Sequence, residues 1–353
     1  MKQAMSGIAI NTIFAVHLKQ RGMTETRNVA ILGSGSWATA LAKLTLNNQP
    51  HINWYVRNPE DIRHFLKFKH NPKYISDIQF DTDRITFFSS ITEIIEASDI
   101  LVFAIPAPFL RDTLAEFTGN FGSRLLMSGI KGIVPSENLT VAEYFNRIYN
   151  VPFRQISIIS GPCHAEEIAM ERLSYLTIAS SSKHQADELS SLFRCHHVKV
   201  KSSIDIYGTE YSAVLKNIVA IAAGICHGLG YGDNFQAVLI SNAMIEIKRF
   251  LDKTYKRKRK LISSHYLGDV MVTSYSQFSR NRTFGMMVGK GYSVKSAQLE
   301  MNMIAEGYYA VACIRELNKT CGVNMPITDA VYHILYDKVS PALEIKLLTE
   351  KLK

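Results

Sequence analysis

Lys216 and Asn217 interrupt a run of apolar residues that continues as Ile-Val-Ala-Ile-Ala-Ala-Gly-Ile, on a helical spacing from Tyr211 to Leu229. A lysine on such a helix is costly unless it has a polar task, although a lysine at a helix edge can also lead its ammonium out to water. A buried ammonium can polarise a carbonyl and deliver a proton to its oxygen. To take the proton back it must be neutral, which requires its pKa to fall from about 10.4 through burial or a cationic neighbour. Farther along, Tyr266-Leu267-Gly268-Asp269 presents a carboxylate after a glycine turn. It could orient such an ammonium, or simply cap a helix. Ser279-Arg280-Asn281-Arg282 packs donors suited to a phosphate or carboxylate into four residues. Lys131, between Gly129 and Gly132 just past an apolar strand, is placed either to approach an anion closely or as a surface lysine in a turn.

Asn28 to Ala42 reads as a strand, a glycine turn and a helix. Val29–Leu32 is apolar and rich in β-branched residues, Gly33 and Gly35 follow, and a helical pattern opens at Trp37. That order cradles a dinucleotide pyrophosphate: the glycines allow close approach and the free N–H groups of the helix start face the phosphates. The motif is closed by Ala38 instead of a third glycine, a tolerated substitute at the helix–strand contact. A second strand, 52–58, ends near Arg57 with no acid before Glu60. An acid there would accept a ribose hydroxyl, whereas a basic residue accommodates a 2′-phosphate, so the ending favours NADPH or use of both cofactors.

Further strands are expected at 85–88, 99–104, 125–128, 156–160, 174–180 and 197–201, with helical stretches between several of them. The strand at 99–104 empties into Ile105-Pro106-Ala107-Pro108, which cannot continue a ladder and suits a wall beside the nicotinamide. The strand at 156–160 ends in Ser160-Gly161-Pro162-Cys163-His164-Ala165, again just before a helix start. The fold class is therefore α/β: a Rossmann-type doubly wound sheet over 28–204 followed by an all-helical domain over 205–353. Residues 1–27 read as an extension or the product of a misplaced start, with Met23 just ahead of the first strand.

The chain has 353 residues, a net charge of +9, 47% hydrophobic and 20% charged residues, an ordinary balance for a globular protein of about two domains. Its five cysteines form no C-x-x-C pair, which argues against a disulfide frame or zinc ribbon and suits a reducing cytoplasm. No apolar run reaches the roughly 18 residues of a membrane span. The basic run Lys253–Lys260 is read as a solvated helix end and not as a nucleic-acid site, since only Tyr255 could stack. Cys195-His196-His197 lacks a second cluster at metal-ligand spacing, so no metal is expected.

Taken together, GSGSWATALA (33–42), Lys131-Gly132, SGPCHA (160–165), VLKNIVAIAAGICHGLGYGDN (214–234), LGD (267–269), SRNRTFG (279–285), AEG (305–307) and MPITDAVYHILY (325–336) resemble the soluble NAD(P)-dependent sn-glycerol-3-phosphate dehydrogenases of bacteria, in family order over about 29–340. The resemblance implies reduction of dihydroxyacetone phosphate by NAD(P)H to sn-glycerol 3-phosphate for phospholipid synthesis, in a homodimer. It implies cofactor contacts from Ser36, Trp37, Arg57, Lys131, Ala165, Arg280 and Glu306, with Ile304 nearby. It implies a substrate pocket of Lys131, Gly161, Cys163, Lys216, Asp269, Ser279, Arg280 and Asn281, with Lys216 moving the proton. Departures are Ala38, Cys163 in place of a hydroxyl residue, Ser241-Asn242 where Thr-Arg is common, and the basic run. A two-domain 3-hydroxyacid or sugar-acid dehydrogenase is an alternative, against which Lys131 and the SRNR cluster speak for a phosphate. A non-catalytic cofactor-binding regulator is another, against which Lys216 and Asp269 speak.

Overall fold

The computed structural model describes residues 27–353 apart from residue 302; the extension read at 1–27 lies, save for its last residue, outside the described residues. The first half alternates strand and helix: β1 (Val29–Leu32), α1 (Ser36–Leu46), β2 (Ile52–Tyr55), α2 (Pro59–Phe68), β3 (Ile85–Phe88), α3 (Ile91–Glu96), β4 (Ile100–Phe103), α4 (Ala107–Leu114) and β5 (Leu125–Ser128). A two-stranded ribbon, β6 (Ile133–Val134) with β7 (Leu139–Thr140), interrupts the alternation before α5 (Val141–Tyr149). Then come β8 (Ile156–Ser160), α6 (Ala165–Ala169), β9 (Ser174–Ser180), α7 (Lys183–Ser190) and β10 (Val198–Ser203). Strands such as β1 and β4 are apolar at every position because separate cores cover both sheet faces.

The sheet runs β10-β9-β8-β5-β4-β1-β2-β3. From β1 the chain winds one way to β2 and β3, and the other way from β4 to β5 and β8. The crevice between the ends of β1 and β4 is therefore the topological switch point, where such sheets bind ligands. Val29 pairs with Ile100 and Leu32 with Phe103, so the glycine turn and the proline-broken segment leave the sheet side by side. The doubly wound sheet departs from a fully parallel one at one place: β9 pairs antiparallel with β8. A parallel return needs a crossover of a dozen or more residues, usually spanned by a helix. The five-residue α6 does not span the sheet, and the chain comes back reversed. The starts of β9 and β10 consequently lie at the edge where β8 ends.

Beyond β10 every regular element is helical: α8 (Ile206–Gly228), α9 (Asp233–Thr254), a π-turn at Ser264–Gly268, α10 (Asp269–Tyr275), α11 (Arg280–Gly289), α12 (Val294–Glu300), α13 (Glu306–Cys321), α14 (Pro326–Leu335) and α15 (Pro341–Thr349). Nearly all of α8 is buried in the second core. By length and composition it is long enough to cross a membrane, the one such helix among the described residues, and its apolar surface is spent inside the fold. It crosses α11 so closely that a Cβ at Gly285 would strike the Ile221 carbonyl, and one at Gly224 that of Arg282.

The basic run is only partly solvated, which corrects the sequence reading. Lys253, Lys256, Lys258 and Lys260 are exposed. The Arg259 side chain, however, is tucked in and donates through Nε to Asp205 Oδ2 at 2.6 Å, and Arg257 donates to the Ile204 carbonyl at 2.7 Å. Asp205 also accepts from the Gly208 N–H at 3.0 Å, capping α8, and from the Tyr266 hydroxyl at 2.6 Å. Burial opposes the charge on Asp205, but these donors outweigh it and hold its pKa below the usual carboxylate value. One carboxylate thus ties the junction between the halves to the π-turn that leads into Asp269.

Candidate active site

A cavity of about 410 Å³ opens at the switch point, between the sheet and the helical half. Its sheet side is built by the glycine turn. Gly33 stands at φ +128 with the Ala104 carbonyl 2.5 Å from where a Cβ would sit, so another side chain would be strained and blocked. Gly35 needs no unusual backbone, yet a Cβ there would meet no atom within 4 Å. That open space lies at the start of α1, whose first N–H groups have no side-chain cap. Such a cradle of backbone donors fits a pyrophosphate, so the residues present fit a dinucleotide. Ser36 and Trp37 line the same cavity, as do Ala165, Ile304 and Glu306. Ile105 and Pro106 form its wall beside Ala104. Glu306 Oε1 accepts the N–H of Ala107 at 3.1 Å, tying α13 to the start of α4. Arg57 is exposed just beyond β2 and does not line this cavity.

The helical side supplies the charges. Lys216, 4% exposed on α8, forms an ion pair with Oδ1 of Asp269, the first residue of α10. Burial pushes the Lys216 ammonium down to about 7; Asp269 opposes the fall and Lys131 adds to it. Burial also works against ionised Asp269, but Lys131 and Lys216 outweigh it and hold its pKa below the ordinary carboxylate value. Asp269 receives further support: Ser160 Oγ donates to Oδ2 at 3.4 Å, and Thr273 Oγ1 lies 3.5 Å from Oδ1. A π-turn, Ser264–Gly268, immediately precedes Asp269, a distortion frequent at functional sites.

Lys131 completes the cluster. Its ammonium is 4.0 Å from Asp269 Oδ2, donates to the Gly161 carbonyl at 3.4 Å, and stands 5.3 Å from the centre of the Trp37 ring. Asn217 donates to the Lys131 carbonyl at 2.8 Å, so neighbouring residues of α8 hold both lysines. Gly161 sits at φ +124 against the Tyr175 carbonyl and contributes backbone, without lining the cavity. Cys163 lines it, but its thiol is turned to the Tyr175 carbonyl at 3.1 Å and burial pushes its pKa up to about 12. Of the donor cluster at 279–282, Ser279, Arg280 and Asn281 line the cavity. The Ser279 hydroxyl caps α11 by accepting the Arg282 N–H at 3.3 Å, and Asn281 Oδ1 accepts the Gly307 N–H at 2.9 Å. The exposed Arg280 is therefore the charged donor of that cluster at the cavity.

Sequence reasoning missed Thr273 and His164, both at the cavity. Thr273 was within reach, lying one helical turn after Asp269. His164 was quoted within SGPCHA without a role. Burial, with Lys216 and Lys131 nearby, pushes its imidazole down to about 4, and its buried Nε2 has no hydrogen-bond partner. Tyr74, Phe109 and Phe278 add aromatic lining from segments that carry no chemical signature.

The family model described as the NAD-dependent glycerol-3-phosphate dehydrogenase N-terminus matches residues 28–186, and that of the C-terminus matches 205–346. The chain belongs to the NAD-dependent glycerol-3-phosphate dehydrogenase family. Among curated relatives, a glycerol-3-phosphate dehydrogenase [NAD(P)+] of Clostridium perfringens is 32% identical over 324 residues, covering 92% of this chain and 97% of the relative. One from Pelodictyon phaeoclathratiforme is 33% identical over 330 residues, covering 92% and 98%. The crystal structure of glycerol-3-phosphate dehydrogenase from Coxiella burnetii superposes with a TM-score of 0.84 at 25% identity, covering 92% of this chain and 99% of that one. An oxidoreductase of this family has to bring a nicotinamide and a phosphorylated three-carbon ketone together, and the cavity joins the glycine turn to Lys216, Asp269 and Arg280.

Proposed function

We propose that this protein interconverts dihydroxyacetone phosphate and sn-glycerol 3-phosphate with NAD(P)H and NAD(P)+, supplying glycerol 3-phosphate to phospholipid synthesis in the cytoplasm. The observation that carries the reading is a buried lysine, paired with a buried aspartate, in the cavity that the dinucleotide turn opens onto. The bound cofactor supplies or accepts the hydride at the carbonyl carbon. Lys216 donates its proton to the ketone oxygen as the hydride arrives, and takes one from the alcohol in reverse. Asp269 holds the amine in place, and its charge stabilises the ammonium before the proton leaves. Arg280 and Lys131 bind the phosphate, which fixes the three-carbon chain with its carbonyl toward Lys216. A pKa near 7 suits both directions near neutral pH, because neither protonation state is scarce.

The exposed Arg57 beyond β2 supports NADPH as the better cofactor, by pairing with the 2′-phosphate. Val238 and Ile245, two helical turns apart on α9 and exposed, support a homodimer that would cover them. Initial rates on dihydroxyacetone phosphate, set against 3-hydroxy acids and sugar acids, test the substrate. Turnover confined to the unphosphorylated acids would overturn the reading.

A further inference from the structure

The tight turn between α7 and β10 gathers three metal-ligating side chains that the proposed reaction does not use. Cys195 Sγ lies 3.4 Å from Nδ1 of His197, and that nitrogen lies 3.4 Å from Nε2 of His196. All three donor groups fall within 4.8 Å of one another. The sequence lacked a second cluster, and the fold brings up one further donor: Oε2 of Glu171, on the connection from α6 to β9, is 3.4 Å from His196 Nε2. Glu171 reaches this spot because β9 is reversed, which sets the end of α6 beside the start of β10.

A tetrahedral ion with bonds of about 2.0–2.3 Å separates its donors by roughly 3.3–3.5 Å. The three successive separations fall in that range; Glu171 stands outside the 4.8 Å group, so its exposed side chain must swing in to complete the set when an ion binds. The scaffold is set before any ion arrives. Cys195 and Val198 exchange backbone hydrogen bonds at 3.3 and 3.4 Å, and the Ser174 N–H donates to the His197 carbonyl at 2.8 Å. Glu171 is held at φ +56, a left-handed conformation uncommon outside glycine, with its N–H on the Ile168 carbonyl. Two ring nitrogens and a sulfur already close on one another are three lone-pair donors for a single cation, and the exposed carboxylate of Glu171 beside His196 is within a side-chain rotation of supplying the fourth.

We propose that Cys195, His196, His197 and Glu171 form a site for one zinc-class divalent cation. Thiolate, two imidazoles and a carboxylate are the donor set such an ion takes, and four protein ligands close the site as in structural centres. Cys195 gives up its thiol proton on binding. The ion pins the start of β10 to the end of α6, the helix whose first residue, Ala165, lines the cavity.

The test strips the full-length protein with a chelator and titrates it with zinc sulfate and, separately, cobalt chloride. The site predicts one equivalent of zinc. It also predicts a tetrahedral cobalt spectrum with a thiolate-to-cobalt charge-transfer band. Cys195→Ser removes the band, while Cys321→Ser, at the other partly exposed thiol, keeps it. His196→Ala, at an exposed position, is expected to weaken zinc binding by more than the roughly 10–100-fold that loss of a supporting partner costs a metal site. Substoichiometric binding, cobalt without the charge-transfer band, or zinc affinity unchanged in His196→Ala would overturn the proposal. Those outcomes would leave a thiol–imidazole hydrogen bond and a surface His196–Glu171 pair. The readout is metal content and spectrum, so it is independent of the dehydrogenase reading.

Discussion

Lys216 and Asp269 are 53 residues apart in sequence, on α8 and α10, and meet as a buried ion pair at the wall of the central cavity. Burial lowers the pKa of Lys216, the only group proposed to move a proton, and the pairing with Asp269 resists that fall. Reduction needs the ammonium and oxidation needs the free amine. The turnover number for ketone reduction is therefore expected to fall as pH rises through about 7, and that for alcohol oxidation to rise through the same point. Stability carries the same signature. The unfolded lysine binds its proton up to about 10.5 and the folded one only up to about 7, so between those values the unfolded state holds more protons. Stability contributed at this site is lowest below pH 7 and increases up to about 10.5. Lys216→Met is expected to flatten that increase, which denaturant melts across the window measure.

The Asp205–Arg259 pair predicts a large stability effect at a position that reads as surface. Arg259→Ala leaves a buried carboxylate with its cationic partner gone, and is expected to cost about 3–5 kcal/mol. Tyr266→Phe removes one neutral donor from the same carboxylate and is expected to cost about 1–3 kcal/mol. Substituting the exposed Lys256 or Lys258 should stay within about 0.5 kcal/mol. Urea midpoints on the four proteins separate the clamp from a general effect of charge.

These residues mark where the sequence stopped being readable. The glycine turn was legible because strand, turn and helix are local and each leaves a compositional trace. Lys216 stood out because a charge breaks an apolar helical run. Arg259 did not, because its partner is 54 residues away and its neighbours in the run are solvated. The reversal of β9 was hidden because a buried strand has the same apolar composition in either direction. Glu246 was equally unread: it lies between Ile245 and Ile247 on α9, is buried, and accepts the N–H groups of Ile327 and Thr328 at 2.8 and 3.0 Å, capping α14 from 81 residues away. Such partners are chosen by packing between distant elements, and periodicity records only which face is covered.

The crossing of α8 over α11 depends on absent side chains. Gly285→Ala would press a methyl onto the Ile221 carbonyl, with backbone on both sides and no flexible group to yield. A cost of about 1–3 kcal/mol is expected from overpacking. Because α8 also carries Lys216, turnover should fall more than cofactor affinity does. Gly35→Ala tests the other glycine: its Cβ meets no protein atom, so stability should hold while the KM for cofactor rises.

The proposed preference for NADPH rests on one exposed side chain, Arg57. Arg57→Ser is expected to raise the KM for NADPH and leave that for NADH in place, since the two differ only by the 2′-phosphate. Hydrogen bonds to charged groups contribute about 1.5–3 kcal/mol, so the rise should be roughly tenfold or more. Equal changes for both cofactors would remove Arg57 from the cofactor site.

The central claim is that the Lys216 amine moves the proton beside the bound nicotinamide. The most direct measurement compares initial rates of NADPH and NADH oxidation by dihydroxyacetone phosphate in the wild-type chain and in Lys216→Ala, with cofactor affinity measured on both. The account predicts an active wild type, a variant slower by about 10²–10⁴-fold, and cofactor affinity unchanged between them. A variant that turns over near the wild-type rate would contradict it.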